Sequence, residues 1–408
     1  MHSVVLAIGL FVFAAYLFKA IFEKTGIPDV LLLMVCGLLL GPVLGWVEPS
    51  RFGDAGSALA TLALVVILFE SGVDLDLGSA KSALTPTLLL ALSTFVVTAA
   101  IATLVGALWA GLEWLPAVAL GAILAGTSSA VVIPLVQSLG VQGRTRAVLI
   151  LESALTDVLC IVAVFMLLTA SKSDAVNAGR IIWTLVETLS LAGVIGLLIG
   201  VSWLLVLRHA RRLRHGGYAS VAMCFILYGL TEAAGFSGAI AAIAFGVMLA
   251  NGRQFAAMSG VLRPGYLAAF SSREHGFLQE IIFVLKTFFF VYLGISMRLD
   301  DTNALAMDAA IVAMTYLARH ALALVLAAPD TSASNVALTA GMAPKGLAAA
   351  VLAGLPSQYG MPGGDIIQSI AYAVVLFSII STASLITLHR VSRVRNFYVR
   401  LCRKPQWD

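Results

Sequence analysis

Apolar residues run through this chain in long blocks, separated by short clusters of charge, glycine and proline. A membrane-spanning helix needs about 20 apolar residues, and most blocks approach or exceed that length. The breaks divide the chain into thirteen runs, near residues 3–22, 29–47, 57–73, 84–110, 116–138, 146–170, 181–207, 218–234, 237–250, 277–297, 305–327, 335–355 and 366–388. We number these spans 1 to 13. The pattern predicts an all-α membrane protein of about 13 transmembrane helices. Spans 8 and 9 are short, and residues 251–276 read as an amphipathic linker lying on the membrane.

Composition narrows the class. Hydrophobic residues make up 60% of the 408, and charged residues 11%, against about 25% in a typical soluble domain. Mean hydropathy is +1.00. A soluble domain of this size has no place for so much apolar surface. That excludes a soluble enzyme, a disordered protein and a nucleic-acid binder. The net charge of +4 comes from loop arginines and points to no nucleic-acid partner. Cys36, Cys160, Cys224 and Cys402 are scattered, with neither metal spacing nor a disulfide framework. The first run lacks a basic leader and reads as a retained membrane helix. No phosphate-binding loop occurs, which argues against an ATP-driven pump.

Lysine and arginine set the expected orientation. Of the 25, seventeen fall in loops after odd-numbered spans or in the C-terminal tail, and four fall on the other side. The C-terminus is therefore expected in the cytoplasm and the N-terminus outside. The remaining four, Lys19, Lys286, Arg319 and Lys345, lie inside spans.

Three pairs of segments are alike. Gly26-Ile27-Pro28, with Gly37 following, matches Gly235-Phe236-Ser237, with Gly246 at the same interval. Phe69-Glu70-Ser71-Gly72-Val73 resembles Val291-Tyr292-Leu293-Gly294-Ile295. Val118-Ala119-Leu120 leads to Thr127 as Val336-Ala337-Leu338 leads to Lys345. The pairs keep chain order and a shift of seven spans. An odd shift makes the copies run oppositely through the membrane, so spans 1–6 and 8–13 are expected to form an inverted repeat. Such repeats mark secondary transporters, with the site where broken helices meet.

The repeat singles out spans 5 and 12 as discontinuous crossing helices. Gly126-Thr127-Ser128-Ser129 makes a poor helix core, and Pro344 removes a backbone donor in Gly341-Met342-Ala343-Pro344-Lys345-Gly346. Unwound backbone is tolerated in a membrane where it lines a cavity. Half-helix ends carry partial charges that ionised side chains can balance, and Lys345 reads as such a charge.

Ionisable residues inside spans need a reason. Span 6 carries Glu152-Ser153-Ala154-Leu155-Thr156-Asp157, with Asp157 in mid-span. Ser153 and Asp157 share one helical face, and Glu152 and Thr156 the neighbouring one. A carboxylate among hydroxyl and carbonyl oxygens suits a small hard cation, and it can take a proton instead. One carboxylate that holds either, never both, is enough for coupled exchange. Arg319, mid-span in span 11, keeps its charge and needs a carboxylate; Glu152 is the candidate. Glu70 ends span 3 and could reach the cavity. Lys286 and Glu187 receive no role, and His320 reads as a packing histidine.

With these residues in view, the chain resembles the monovalent cation/proton antiporter superfamily, especially its thirteen-helix sodium/proton exchangers. The resemblance covers nearly the whole chain. It rests on Gly-Ile-Pro…Gly-Leu-Leu-Leu-Gly-Pro in span 2, Leu-Phe-Glu-Ser-Gly in span 3, Gly-Thr-Ser-Ser in span 5, Glu-Ser-X-X-Thr-Asp in span 6, the arginine of span 11 and Pro-Lys-Gly in span 12. It implies that Asp157 is the ion- and proton-binding aspartate, with Ser153 and the Thr127 backbone as ligand positions. Thr156, Ser128 and Glu70 complete the candidate site. Asp157, Ser153 and Thr127 are the candidate ligands of Na+ or K+. Glu152 and Arg319 are implied to be a structural pair, and Lys345 stands where many relatives have arginine. No cofactor is implied, because the metal ion and the proton are cargo.

The resemblance further implies one membrane unit over 1–408. Residues 84–170 and 305–388 would form an ion-translocating core, and 1–73 and 181–297 a dimerisation scaffold. Residues 389–408 would be a basic cytoplasmic tail. Transport would be elevator-like, by a homodimer in the plasma membrane. Two departures bear on the ion. Thr156-Asp157 replaces the usual Asn-Asp or Asp-Asp, and Ser128-Ser129 replaces the Asp-Pro that many exchangers carry. The serine pair is more similar to the potassium-efflux branch. Sodium is favoured from spans 3 and 6, with potassium as the alternative, and the single aspartate suggests electroneutral exchange. A cation channel and a non-transporting sensor are the competing classes; the repeat and the broken helices argue against the first.

Overall fold

The computed structural model describes residues 2–49, 53–75, 84–141, 143–171, 178–210, 216–259, 272–299, 301–327 and 331–390, and no strand occurs among them. The helices are α1 (His2–Thr25), α2 (Asp29–Leu38), α3 (Gly53–Asp74), α4 (Leu84–Leu108), α5 (Trp114–Leu124), α6 (Ser129–Ser138), α7 (Gly143–Ser171) and α8 (Ala178–Ala210). They continue with α9 (Gly216–Ala233), α10 (Gly238–Ser259), α11 (Ser272–Ile295), α12 (Thr302–Leu326), α13 (Ala333–Gly341), α14 (Leu347–Leu352), α15 (Leu355–Gln358) and α16 (Gly364–Arg390). Helix lies over each of the thirteen apolar runs. Among the described residues, seven stretches are long and apolar enough to cross a membrane. Asp29–Val43, Ala219–Ala233 and Leu347–Gln358 are shorter apolar helices. The protein is a multi-pass, all-helical membrane protein.

The expected surface linker at 251–276 is corrected in part. Helix α10 runs on to Ser259 and α11 begins at Ser272. Asn251 stays within α10, its Nδ2 donating to Val247 O one turn back at 2.9 Å and to Leu75 O, just past the end of α3, at 2.6 Å. Residues 260–271 lie outside the described residues, as does the expected tail beyond Arg390.

The chain divides into two compact units. The first holds Met1–Ser57, Ser82–Cys160 and Lys286–Asp408; the second holds Ala58–Lys81 and Ile161–Leu285. In the first, α4 packs on α5 and α12, and α12 packs on α13 and α16. In the second, α10 packs on α8 and α9.

Helix starts and stops follow local chemistry. Pro42 cannot donate to the helical ladder, and α2 ends there in a π-helical turn, Leu39–Val43. Asp301 caps α12, its Oδ1 accepting from Asn303 N at 2.8 Å and Ala304 N at 3.2 Å. Helices α2 and α10 begin alike. Each follows a glycine in the left-handed region, Gly26 (φ 77°) and Gly235 (φ 83°), where a β-carbon is strained.

Two helix crossings are closed by glycine pairs. In the first unit a β-carbon on Gly37 would fall on the Val291 carbonyl, and one on Gly294 would fall on the Met34 carbonyl. In the second, one on Gly246 would fall on the Phe69 carbonyl, and one on Gly72 on the Ile243 carbonyl. Only glycine lets the backbones approach this closely.

Candidate functional site

The site lies in the first unit, where two interrupted helices touch. Helix α5 stops at Leu124 and α6 starts at Ser129. Hydroxyl side chains between them compete for backbone partners and weaken the helix. Helix α13 stops at Gly341 and α14 starts at Leu347. Pro344 lacks the donor that would bridge this gap, and Gly346 is extended (φ −138°, ψ −153°). The breaks are joined: Ser128 N donates to the Pro344 carbonyl at 2.7 Å. Gly346 packs so tightly on Ser128 that a β-carbon would overlap its side chain.

Asp157 faces the first break and is 5% exposed. Ser129 Oγ donates to its Oδ2 at 3.1 Å. A β-carbon on Gly126 would stand 3.6 Å from its Oδ1 and 2.8 Å from Cys160 Sγ, so glycine keeps that approach open. Thr156 Oγ1 donates to Ser153 O at 3.1 Å and accepts from Thr127 N at 3.1 Å. Its contact with Thr127 Oγ1, also 3.1 Å, then leaves Thr127 as the donor. Thr156 therefore holds the shape of the break. Ser153 Oγ donates to Ile150 O at 2.9 Å within its own helix. Ser128 Oγ is buried and has no hydrogen-bond partner among the described residues.

The structure brings Glu152 and Arg319 together as a two-pronged pair. Nη1 donates to Oε1 and Nη2 donates to Oε2, the latter at 2.7 Å. Arg319 is 1% exposed and its other donors are also used. Nε donates to Thr339 O at 3.0 Å, Nη1 to Thr94 Oγ1 at 2.9 Å and Nη2 to Met342 O at 3.4 Å. Two of those acceptors lie at the C-terminal end of α13, where a helix dipole favours positive charge. A planar guanidinium with five donors fits this set, and an ammonium does not.

Lys345 sits in the second break. Its backbone N donates to Ser378 Oγ at 2.8 Å. Its Nζ is buried without a hydrogen-bond partner among the described residues. Cys160 lies within electrostatic range of both Asp157 and Lys345. Glu70 lies on α3 in the second unit and is half-buried. Glu187 falls in α8, among positions whose side chains are not described. Lys286 pairs with Asp29 at 3.1 Å.

Three polar contacts carry little signal in the sequence. Ser129 stands there only as part of a motif, yet its hydroxyl reaches Asp157. Ser378 is the one polar residue in Ala371–Ile380 apart from Tyr372, and that isolation is its only mark. Thr94 resembles any other hydroxyl in an apolar helix. No group of three or more His, Cys, Asp or Glu residues able to hold a metal occurs among the described residues. One carboxylate amid hydroxyls and carbonyls suits loose, reversible binding of a weakly charged ion.

The transmembrane sodium/hydrogen exchanger family model matches residues 9–388. The chain is 25% identical over 393 residues to the K+/H+ antiporter NhaP2 of Shewanella sp. (strain MR-4), covering 93% of this chain and 65% of that protein. The chain thus spans somewhat less than two thirds of those NhaP2 relatives. It is 24% identical over 368 residues to the Na+/H+-K+ antiporter GerN of Bacillus cereus, covering 88% and 89%. Its fold is similar to that of the sodium proton antiporter MjNhaP1 from Methanocaldococcus jannaschii, with a TM-score of 0.74 at 21% identity over 93% of this chain and 98% of that one. Families of this kind are secondary transporters and not enzymes. The match along nearly the whole length, together with the helical membrane fold, makes this chain a member of the sodium/hydrogen exchanger family.

Proposed function

We propose that the chain exchanges Na+ for H+ across the membrane, with Asp157 holding either the cation or the proton. The observation that carries this is a buried carboxylate, steadied by one hydroxyl, facing the point where two helix breaks meet. Glu152 is already neutralised by Arg319, which leaves Asp157 as the working acid. A bare carboxylate is costly to carry through a low-dielectric core. Loading with either cargo removes the charge, and that difference couples the two fluxes. Ser153, Thr127, Thr156 and Ser128 supply the nearby hydroxyl and carbonyl oxygens.

The wider reading has thirteen spans in an inverted repeat, with α5/α6 and α13/α14 as the crossing helices. The glycine crossings support it. The repeat equates Gly37 with Gly246 and Gly72 with Gly294, so the two crossings exchange under it, and their clashing carbonyls correspond as well. Ser128 and Gly346, equivalent under the third pair, meet directly. Residues 84–170 and 305–388 are assigned as the moving core and 1–73 and 181–297 as the scaffold of a homodimer. That assignment and the elevator motion rest on the family. The excess of lysine and arginine in loops after odd-numbered spans supports a cytoplasmic C-terminus and an N-terminus outside the plasma membrane.

A second reading is K+/H+ exchange. It is favoured by Ser128-Ser129 in place of a carboxylate, which leaves a less charged site for a larger ion, and by relatives named as K+/H+ antiporters. Purified protein in liposomes with a pH gradient and an internal pH dye tests both. Na+ or K+, but not choline, dissipates the gradient, and Asp157→Asn abolishes the response. No response to any cation from well-folded protein would overturn the proposal.

A further inference from the structure

Two cavities open at one end of the first unit, where α2, α4 and α11 finish and α12 and α16 begin. One, of about 800 Å³, is lined by Glu48, Tyr292, Arg298, Asp365, Gln368 and Tyr372 among others. The other, of about 510 Å³, is lined by Trp109, Arg298, Asp301, Asn303, Asp308 and Asp365 among others. They share Arg298 and Asp365. Acidic groups outnumber basic ones on these walls, which concentrates cations there.

The three aspartates of the smaller cavity differ. Asp301 is spent on the cap of α12. Asp365 Oδ1 accepts from Ser357 Oγ at 2.7 Å. Asp308, in the second turn of α12, is 3% exposed, and its Oδ1 is enclosed without a hydrogen-bond partner among the described residues. No ion pair to it is formed among the described residues. A buried carboxylate oxygen without a donor is expensive, and packing alone does not call for an acid at this position.

We infer that Asp308 is a second cation-binding group, which takes a monovalent cation from the smaller cavity with water completing its shell. It stages the cargo at the mouth of the first unit. Asp301 and Asp365 add negative charge around it, and Arg298 limits how strongly the cation is held. Asp308 belongs to no part of the site at the helix breaks. The staging role rests on the exchange reading; the binding does not.

The test is made first on the purified full chain, with no transport required. The protein is treated with a carbodiimide in choline, Na+ or K+ chloride at one ionic strength, and Asp308 modification is read by peptide mass spectrometry. We expect modification in choline and roughly five- to tenfold protection by Na+ or K+, retained in Asp157→Asn. No modification in choline, or equal modification in all three salts, overturns the proposal. In oriented liposomes, Asp308→Asn raises the cation KM roughly fivefold on one face, with a smaller fall in maximal rate, and Asp308→Glu restores it. An equal effect on both faces contradicts staging. Wild-type protein that exchanges nothing would overturn the proposed function, while the protection experiment still decides the site.

Discussion

The backbone N–H of Ser128 donates to the carbonyl of Pro344 at 2.7 Å, across 216 residues of sequence. This bond ties the two helix breaks into one structure. Each break supplies what the other lacks: the Pro344 carbonyl lies between α13 and α14, outside either helical ladder, and the first break offers the donor. Gly346 makes the approach possible. Gly346→Ala would drive its β-carbon into Ser128, an overpacking cost of about 1–3 kcal/mol. We expect a lower unfolding temperature in detergent and loss of exchange, partly recovered in the Ser128→Gly/Gly346→Ala double variant.

The Glu152–Arg319 pair is fully enclosed, so removing one partner strands the other charge. Arg319→Lys loses the fork and several donors at once. Arg319→Gln and Glu152→Gln alone should each cost about 3–5 kcal/mol. The double Gln variant should cost less than the sum, because no charge is left unpaired. Thermal unfolding of the four proteins checks this as a double-mutant cycle.

Ser129 donates to Asp157, and a hydrogen bond to a charged group contributes about 1.5–3 kcal/mol. Ser129→Ala is expected to raise the cation KM about tenfold or more with a smaller change in maximal rate. Ser129→Thr, which keeps the hydroxyl, should recover most of the affinity. Liposome transport at varied cation concentration reads both.

The glycine crossings give a direct test of the repeat. Gly37→Ala and Gly246→Ala are expected to destabilise by similar amounts, about 1–3 kcal/mol each. Gly9→Ala, with nothing near its would-be β-carbon, should be neutral or slightly stabilising. Unfolding temperatures that fall for one crossing and not the other would speak against equivalence.

Much of the site is legible in the chain because the membrane makes polarity conspicuous. Asp157, Glu152, Arg319 and Lys345 stand out as charges in apolar runs, and Pro344 and Gly126 announce where backbone is released. What the chain does not disclose is partnership across distance. Asp29 has the place of a residue opening a helix after Pro28, yet it pairs with Lys286 at 3.1 Å. Hydroxyls are ambiguous for a different reason. The Thr231 hydroxyl donates to Leu227 O within its own helix, whereas that of Thr94 reaches Arg319, and sequence does not separate the two. Asp308 is inconspicuous because it lies so near the start of its span, where an acid reads as interfacial.

The central claim is that Asp157 holds one cargo at a time. Cation binding should therefore release a proton. The most direct measurement is calorimetric titration of purified protein with Na+ and with K+ in buffers of differing ionisation enthalpy, for wild type and Asp157→Asn. With Asp308 replaced by Asn in both proteins, the account predicts up to one proton released per cation bound, with cation affinity weakening as pH falls, and both effects lost on adding Asp157→Asn. Cation binding at this site without proton release, or release that persists in Asp157→Asn, would contradict it.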